Sequence, residues 1–412
     1  MKLKKPLFLL PLLFLGLLIG ITFGREEANR KEKALFKENN RTNPFIERIK
    51  NDFRFQYRLF KKAVRNGDKF TLREGRYLVT FTVRPDFQNA VKKIFKKFKV
   101  KYGAYVAIDP ETGKVMAAVS STDVPDLTLK NSYPTASTFK IITAAAALDK
   151  SLADSKTVLQ CGGLGDSCSP YVWLNSSYRR ERVFDRSFAT SANPFFGNLG
   201  RLLGKAVLLE YAKRFGFNSR IYNFPWGILR EPLDDYELAA TAAGLGDVTT
   251  SPFHQAVIAQ TIESGGIMMK PFIVESVFDL KQGKEIFRFE PKILRKVISK
   301  DTADKLKKMM LLTPKVGTVS DKRYFKRLSY KFPELKIGGK TGTLSEISFP
   351  EGRCEWFTGF LELNGKKLAF SSVAVNGWTY YISGYEISAV AAEEFVKLER
   401  KKGGERCASS AR

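Results

Sequence analysis

Three short patterns, each present once, constrain what any fold of this chain must bring together: Ser137-Thr138-Phe139-Lys140, Ser191-Ala192-Asn193 and Lys340-Thr341-Gly342. A serine and a lysine three residues apart share one face of a helix. At a first turn, unpaired N–H groups and the helix dipole favour negative charge developing on the hydroxyl. An apolar wall around Lys140, with a second cation such as Lys340 nearby, favours the neutral amine, which can take the serine proton. Ser191 can then relay protons between Lys140 and a leaving group, while the Asn193 amide binds a peptide carbonyl. Lys340 and Thr341 can hold a terminal carboxylate, and the backbone N–H groups of Ser137 and Thr343 are the natural oxyanion donors. Taken singly, each pattern has a plainer reading: Ser137 as a helix cap, Ser191-Ala192-Asn193 as another. It is their order and co-occurrence that point to one active site.

The pattern around the three segments is that of a mixed α/β domain. Tyr77–Val83 alternates like a strand, and Asp86 to Phe98 reads as a basic amphipathic helix. Tyr105–Asp109 and Val115–Val119 flank the turn Pro110-Glu111-Thr112-Gly113 and form a hairpin. A buried helix is expected to start at Ser137 and run through the apolar stretch to Leu148. Helical texture also covers 186–215, 235–245, 252–264 and 302–312. Strands are expected at Leu335–Thr343, Glu355–Leu361 and Leu368–Val375, then a closing helix over 384–400. Gly338, Gly339 and Gly342 inside a strand mark close approach of another backbone, and a peptide could add alongside as a further strand. Strands early and late with helices between them indicate one domain from 77 to 400.

Composition narrows the chemistry. Of 412 residues, 44% are hydrophobic and 13% aromatic, enough for a sizeable core. The only histidine, His254, rules out a metal held by two histidines and disfavours a Ser-His-Asp triad, so no metal and no cofactor is expected. Cys161 and Cys168 bracket a glycine-rich loop and could close a local disulfide, whereas Cys354 and Cys407 lack a partner pattern.

The net charge of +27 implies attraction to a polyanion: nucleic acid, anionic lipid or an acidic wall polymer. Location decides against nucleic acid. Lys2, Lys4 and Lys5 precede nineteen charge-free residues, Pro6 to Gly24, about the length that spans a bilayer. Lysines before such a run stay in the cytoplasm and send the remainder outward. The expected organisation is a cytoplasmic tip (1–5), an anchor (6–24), a basic juxtamembrane stalk (25–76), the catalytic domain (77–400) and a disordered tail (401–412). A cleaved signal peptide ending at Thr22-Phe23-Gly24 is the rival reading.

These motifs resemble those of the penicillin-binding protein transpeptidases, for which S-x-x-K, S-D-N and K-T-G are the three signature elements. The likeness extends to Tyr105…Asp109-Pro110-Glu111-Thr112-Gly113, to Gly244-Leu245-Gly246…Ser251-Pro252 and to Trp356-Phe357-Thr358-Gly359. It implies an antiparallel sheet flanked by helices, with a helical subdomain. It also implies Ser137 as acylated nucleophile, Lys140 as base, Ser191 and Asn193 as second element, and Lys340, Thr341, Gly342 and Thr343 as third. The implied activity is D,D-transpeptidation of peptidoglycan stem peptides, with β-lactams as inhibitors and a membrane glycan polymerase as partner. The chain departs from the family in having Thr135-Ala136 where Pro-Gly is common, and only about 50 residues where a large pedestal usually stands. It is closest to the monofunctional, class B-like members. A class D-like β-lactamase, a D,D-carboxypeptidase and a non-catalytic β-lactam-binding scaffold stay open on these residues. Class D enzymes typically carry Ser-x-Val where Asn193 stands, and class A enzymes an Asp where Ala192 stands.

Overall fold

The computed structural model describes residues 43–121, 126–163, 168–348 and 351–410. The expected cytoplasmic tip, the anchor at 6–24 and residues 25–42 of the expected stalk lie outside them. Among the described residues no helix is long and apolar enough to cross a membrane. Two compact units are present, one ending at Asn51 and one running from Asp52 to the C-terminus.

The first unit contributes helix α1 (Pro44–Asn51). The second begins with α2 (Phe53–Lys61), strands β1 (Val64–Asn66), β2 (Lys69–Glu74) and β3 (Tyr77–Phe81), and α3 (Pro85–Lys97). The hairpin β4 (Tyr102–Ile108) and β5 (Val115–Ser120) follows, paired as its turn chemistry requires. Next come α4 (Lys140–Asp149), α5 (Phe184–Ala189), α6 (Asn193–Leu203), α7 (Lys205–Arg214), α8 (Asp235–Ala243) and α9 (Pro252–Glu263). After β6 (Val274–Asp279) and β7 (Lys284–Arg288) the chain forms α10 (Lys300–Val316) and α11 (Arg323–Lys331). It ends with β8 (Lys336–Ser348), β9 (Glu351–Leu363), β10 (Lys366–Asn376) and α12 (Gly384–Ser410).

The principal sheet has the order β8-β9-β10-β4-β5 and is antiparallel throughout. One face packs on α3, α11 and α12 through Phe87, Phe325, Phe357, Phe370 and Phe395. The other face receives α9, buried along its whole length. A helix covered on every side belongs in a core, which is why this stretch lacks an amphipathic stripe. Its start is set by Ser251, whose hydroxyl accepts from the His254 N–H at 3.0 Å, and by Pro252 at the first turn.

A second sheet, β1-β2-β3-β6-β7, corrects two expectations. The β2–β3 hairpin pairs Glu74 with Tyr77, so a boundary at 77 would cut through it. Residues 52–76 are therefore part of the folded unit and not of a stalk. The reason is aromatic packing: Phe53 and Tyr57 meet Phe253 of α9 edge-on at 4.9 and 5.5 Å, and Phe60 meets Phe70 and Phe81. The tail expected to be disordered after Lys401 instead continues α12 to Ser410, and Lys402 pairs with Asp86 at 3.0 Å.

Candidate active site

Ser137 does not open the α-helix as expected. It lies in a 3₁₀ turn, Ala136–Phe139, and α4 begins at Lys140. The tighter turn matters, because at three residues per turn positions i and i+3 eclipse. Lys140 thus stands directly behind Ser137, its Nζ 2.6 Å from the serine Oγ. Ala136 immediately before it is held at φ +46°, a left-handed conformation costly for a residue with a Cβ. Gly244 permits this approach, since a Cβ there would lie 2.0 Å from the Ala136 carbonyl oxygen.

The second element arrives at the bend between α5 and α6. Ser191, also left-handed at φ +65°, sits with its Oγ 3.3 Å from Lys140 Nζ, and the Asn193 Oδ1 accepts from the same nitrogen at 2.7 Å. The capping alternative for this segment is excluded: Ala192 occupies the N-cap of α6 and makes no side-chain cap. Two strained non-glycine residues flanking one lysine are the kind of backbone distortion that accumulates at functional sites.

The third element is the edge strand β8. Gly342 lies against the turn that carries Ser137, where a Cβ would come within 3.0 Å of Thr138 and 3.1 Å of the Thr135 carbonyl. Gly338 likewise faces the backbone of α10 at Met310 and Leu311. Lys340 is fully buried and donates to the Thr341 carbonyl at 3.0 Å; burial, with Lys140 nearby, pulls its pKa well below that of an ordinary lysine. Thr341 and Thr343 lie on the opposite side of the strand from Lys340 and line the cleft.

The three segments close a cleft of about 450 Å³ lined by Ser137, Ser191, Asn193, Thr341 and Thr343. Several lining residues carry no sequence signature. Thr318 follows α10 and bonds Thr341 hydroxyl to hydroxyl at 2.7 Å, while its N–H donates to the Ala189 carbonyl at 3.1 Å. It therefore ties the second element to the third. Gly317 makes this contact feasible, since a Cβ there would stand 2.2 Å from the Ala189 oxygen. Lys322 and Arg353 add positive charge to the wall, which favours an anionic group in the cleft. Cys168 also lines the cleft, 3.8 Å from Asn193 Nδ2. Its expected disulfide with Cys161 is not formed. The Cys161 thiol is buried, faces the Leu159 carbonyl at 3.6 Å, and burial pushes its pKa up to about 11.

His254 stands apart from the cleft. Its Nδ1 accepts from the Gly227 N–H and its Nε2–H donates to the Phe215 carbonyl, both at 2.9 Å. The ring joins two loops to α9 from within the core.

The family model for the penicillin-binding protein transpeptidase domain matches residues 103–396. The chain is 27% identical over 365 residues to the peptidoglycan D,D-transpeptidase PbpA of Mycobacterium tuberculosis, covering 78% of this chain and 71% of that protein. It is 26% identical over 316 residues to stage V sporulation protein D of Bacillus subtilis, covering 70% of this chain and 47% of that protein. Among solved structures, the imipenem acyl-enzyme complex of penicillin-binding protein A from M. tuberculosis aligns with a TM-score of 0.64 at 25% identity. That alignment covers 77% of this chain and 79% of the other.

Proposed function

The chain belongs to the penicillin-binding protein transpeptidase family, and from that premise we propose a serine D,D-transpeptidase that cross-links peptidoglycan stem peptides through an acyl-enzyme on Ser137. One observation carries the assignment of the nucleophile: the Lys140 amine lies 2.6 Å from the Ser137 Oγ and is held there by Asn193. Such a contact is within the reach required of a general base.

In the first half-reaction Ser137 Oγ bonds to the carbonyl carbon of the penultimate D-Ala, and its proton passes to the neutral Lys140 amine. The backbone N–H groups of Ser137 and Thr343 receive the oxyanion. The proton returns through Ser191 to the departing nitrogen, and the terminal D-Ala leaves. Thr341 and Thr318 hold the terminal carboxylate that marks the donor, whereas Lys340, expected to share that role, is buried on the other side of the strand. In the second half-reaction an amine of a neighbouring stem peptide attacks the ester. A β-lactam enters as the donor does, and its acyl group stays on Ser137.

The catalytic domain works outside the cytoplasm, tethered by the apolar run 6–24. The net charge of +27 draws it to anionic wall polymer or lipid, beside a membrane polymerase that supplies glycan. A fluorescent penicillin is expected to label the wild-type protein stoichiometrically and leave Ser137→Ala unlabelled. Equal label on both proteins would end the proposal. Rapid, repeated turnover of a chromogenic cephalosporin would instead identify a hydrolase.

A further inference from the structure

Lys300, Lys305 and Lys307 on α10 and Lys397 on α12 each meet a carboxylate at 2.6–2.7 Å. The end of α3 is built otherwise. Lys92, Lys93, Lys96, Lys97, Lys99 and Lys101 fall within ten residues and are all exposed, and among the described residues none of the six forms an ion pair. The pairs Lys92–Lys96 and Lys93–Lys97 each step about 6 Å along the helix axis, giving two parallel rows of positive charge. Lys97 and Lys101 stand over ring faces, Phe98 at 5.5 Å and Tyr381 at 5.8 Å. Charge so concentrated repels itself, and the fold carries it at a cost in stability.

The two rows border a hollow of about 750 Å³ between α3 and α12. Its floor is apolar, made by Ala90 and Ile94 of α3, by Phe98 just after it, and by Val390 and Leu398 of α12. All but Ile94 are only half-buried. The two carboxylates at its edge are already engaged. Asp86 meets Arg84 at 2.8 Å and Lys402 at 3.0 Å, and Glu394 meets Lys397 at 2.7 Å. The rim is therefore cationic over an apolar floor, and Arg65 of β1 adds a further charge to it. Phe98 also meets Tyr324 edge-on at 6.1 Å, which joins this face to α11, where Arg323 and Lys326 are exposed.

We propose that this face is a membrane-docking surface: the lysine rows take the phosphates of anionic phospholipid headgroups, and the apolar hollow receives the upper part of an acyl chain. The assignment rests on the reading of the protein as a transpeptidase tethered outside the cytoplasm, which keeps the domain beside a bilayer. Two observations favour lipid over a wall polymer. The first is the cluster itself, since lysines gathered on one amphipathic helix are what an anionic membrane surface attracts. The second is the floor. Lysine stems lie along apolar surface while their ammonium groups reach outward to headgroups. A hydrophilic polyanion would pair with the rows and leave that floor wet, whereas a lipid meets both. None of the residues lining the hollow lines the Ser137 cleft, so docking leaves the cleft open to substrate.

Lysine footprinting of the full-length protein tests this. The protein is reconstituted in nanodiscs of phosphatidylcholine, or of phosphatidylcholine with about one third phosphatidylglycerol. Its exposed amines are then acetylated and read by mass spectrometry. Acetylation of Lys92, Lys93, Lys96 and Lys97 is expected to slow about fivefold in the anionic discs and to recover in high salt. Lys281 and Lys284, exposed at the β6–β7 turn, should react alike in both. In a variant carrying Lys92→Gln, Lys93→Gln, Lys96→Gln and Lys97→Gln, the protection of Lys99 and Lys101 should be lost. Equal reactivity of the wild-type rows in the two kinds of disc overturns the surface. So does equal protection by a soluble glycerol-phosphate polymer added to the neutral discs, which assigns the rows to wall polymer. A fluorescent penicillin added to the same discs reports on Ser137 separately. Labelled protein without lysine protection leaves the transpeptidase standing, whereas unlabelled protein overturns the reading on which the surface rests.

Discussion

Ala136 shows most directly what the active site demands of a single residue. Its φ of +46° puts a Cβ where only glycine is comfortable. The left-handed conformation costs an alanine about 1–2 kcal/mol, of which the flexibility of glycine in the unfolded chain takes back roughly half. Ala136→Gly is therefore expected to stabilise the protein by about 0.5–1 kcal/mol in denaturant unfolding and to keep its penicillin labelling. Loss of stability would mean that the turn is not strained as its backbone angle implies. The tripeptide Thr135-Ala136-Ser137 reveals none of this, because the conformation is imposed by Gly244 and Gly342 pressing from separate elements.

At the level of elements, the cleft depends on where α10 stops. Gly317 ends that helix, and Thr318 then bridges the Ala189 carbonyl at the end of α5 to the Thr341 hydroxyl on β8. Replacing Thr318 with the near-isosteric valine removes one of the hydroxyls proposed to hold the donor carboxylate. Such a loss costs about 1–1.5 kcal/mol, so the second-order rate of acylation by penicillin should fall roughly tenfold. The melting temperature should move little, since the shape is kept. A rate equal to wild type would remove Thr318 from the substrate-holding set. Periodicity and turn chemistry located the helices and strands that carry the motifs. They could not locate Thr318, because a contact between a helix end and an edge strand leaves no local spacing to read.

For the molecule as a whole, the single histidine couples stability to pH. Burial lowers the His254 pKa to about 4, against 6.5 for an exposed imidazole. Between those values the unfolded chain binds a proton that the folded one refuses. The histidine's contribution is therefore complete above about pH 6.5, falls as the pH drops, and levels off below about pH 4, a span worth roughly 3 kcal/mol. Glu263 runs in the opposite sense. Burial pushes its carboxyl up to about 8 despite the Lys307 ion pair at 3.1 Å, so its contribution is present at low pH and lost as pH rises. The comparison that isolates the histidine is the difference in unfolding free energy between wild type and His254→Asn. That difference should shrink on acidification from pH 6.5 to 4, and a flat difference curve would contradict the buried, neutral imidazole.

At this same scale the legible and the illegible parts of the chain separate. The order of the three motifs, the S-x-x-K spacing, the β4–β5 hairpin and the late strands are local or periodic features, and their physics acts within a few residues. The residues from 52 to 76 read as a charged stalk because lysine and arginine dominate their composition. Only packing against α9, and pairing of β3 with β6 nearly two hundred residues away, shows that their aromatic side is core. Likewise, sequence alone named Ser137, Lys140, Ser191, Asn193 and Lys340. Tertiary structure decided that one lysine amine would meet three of them, because distances between distant segments are set by which faces are buried together.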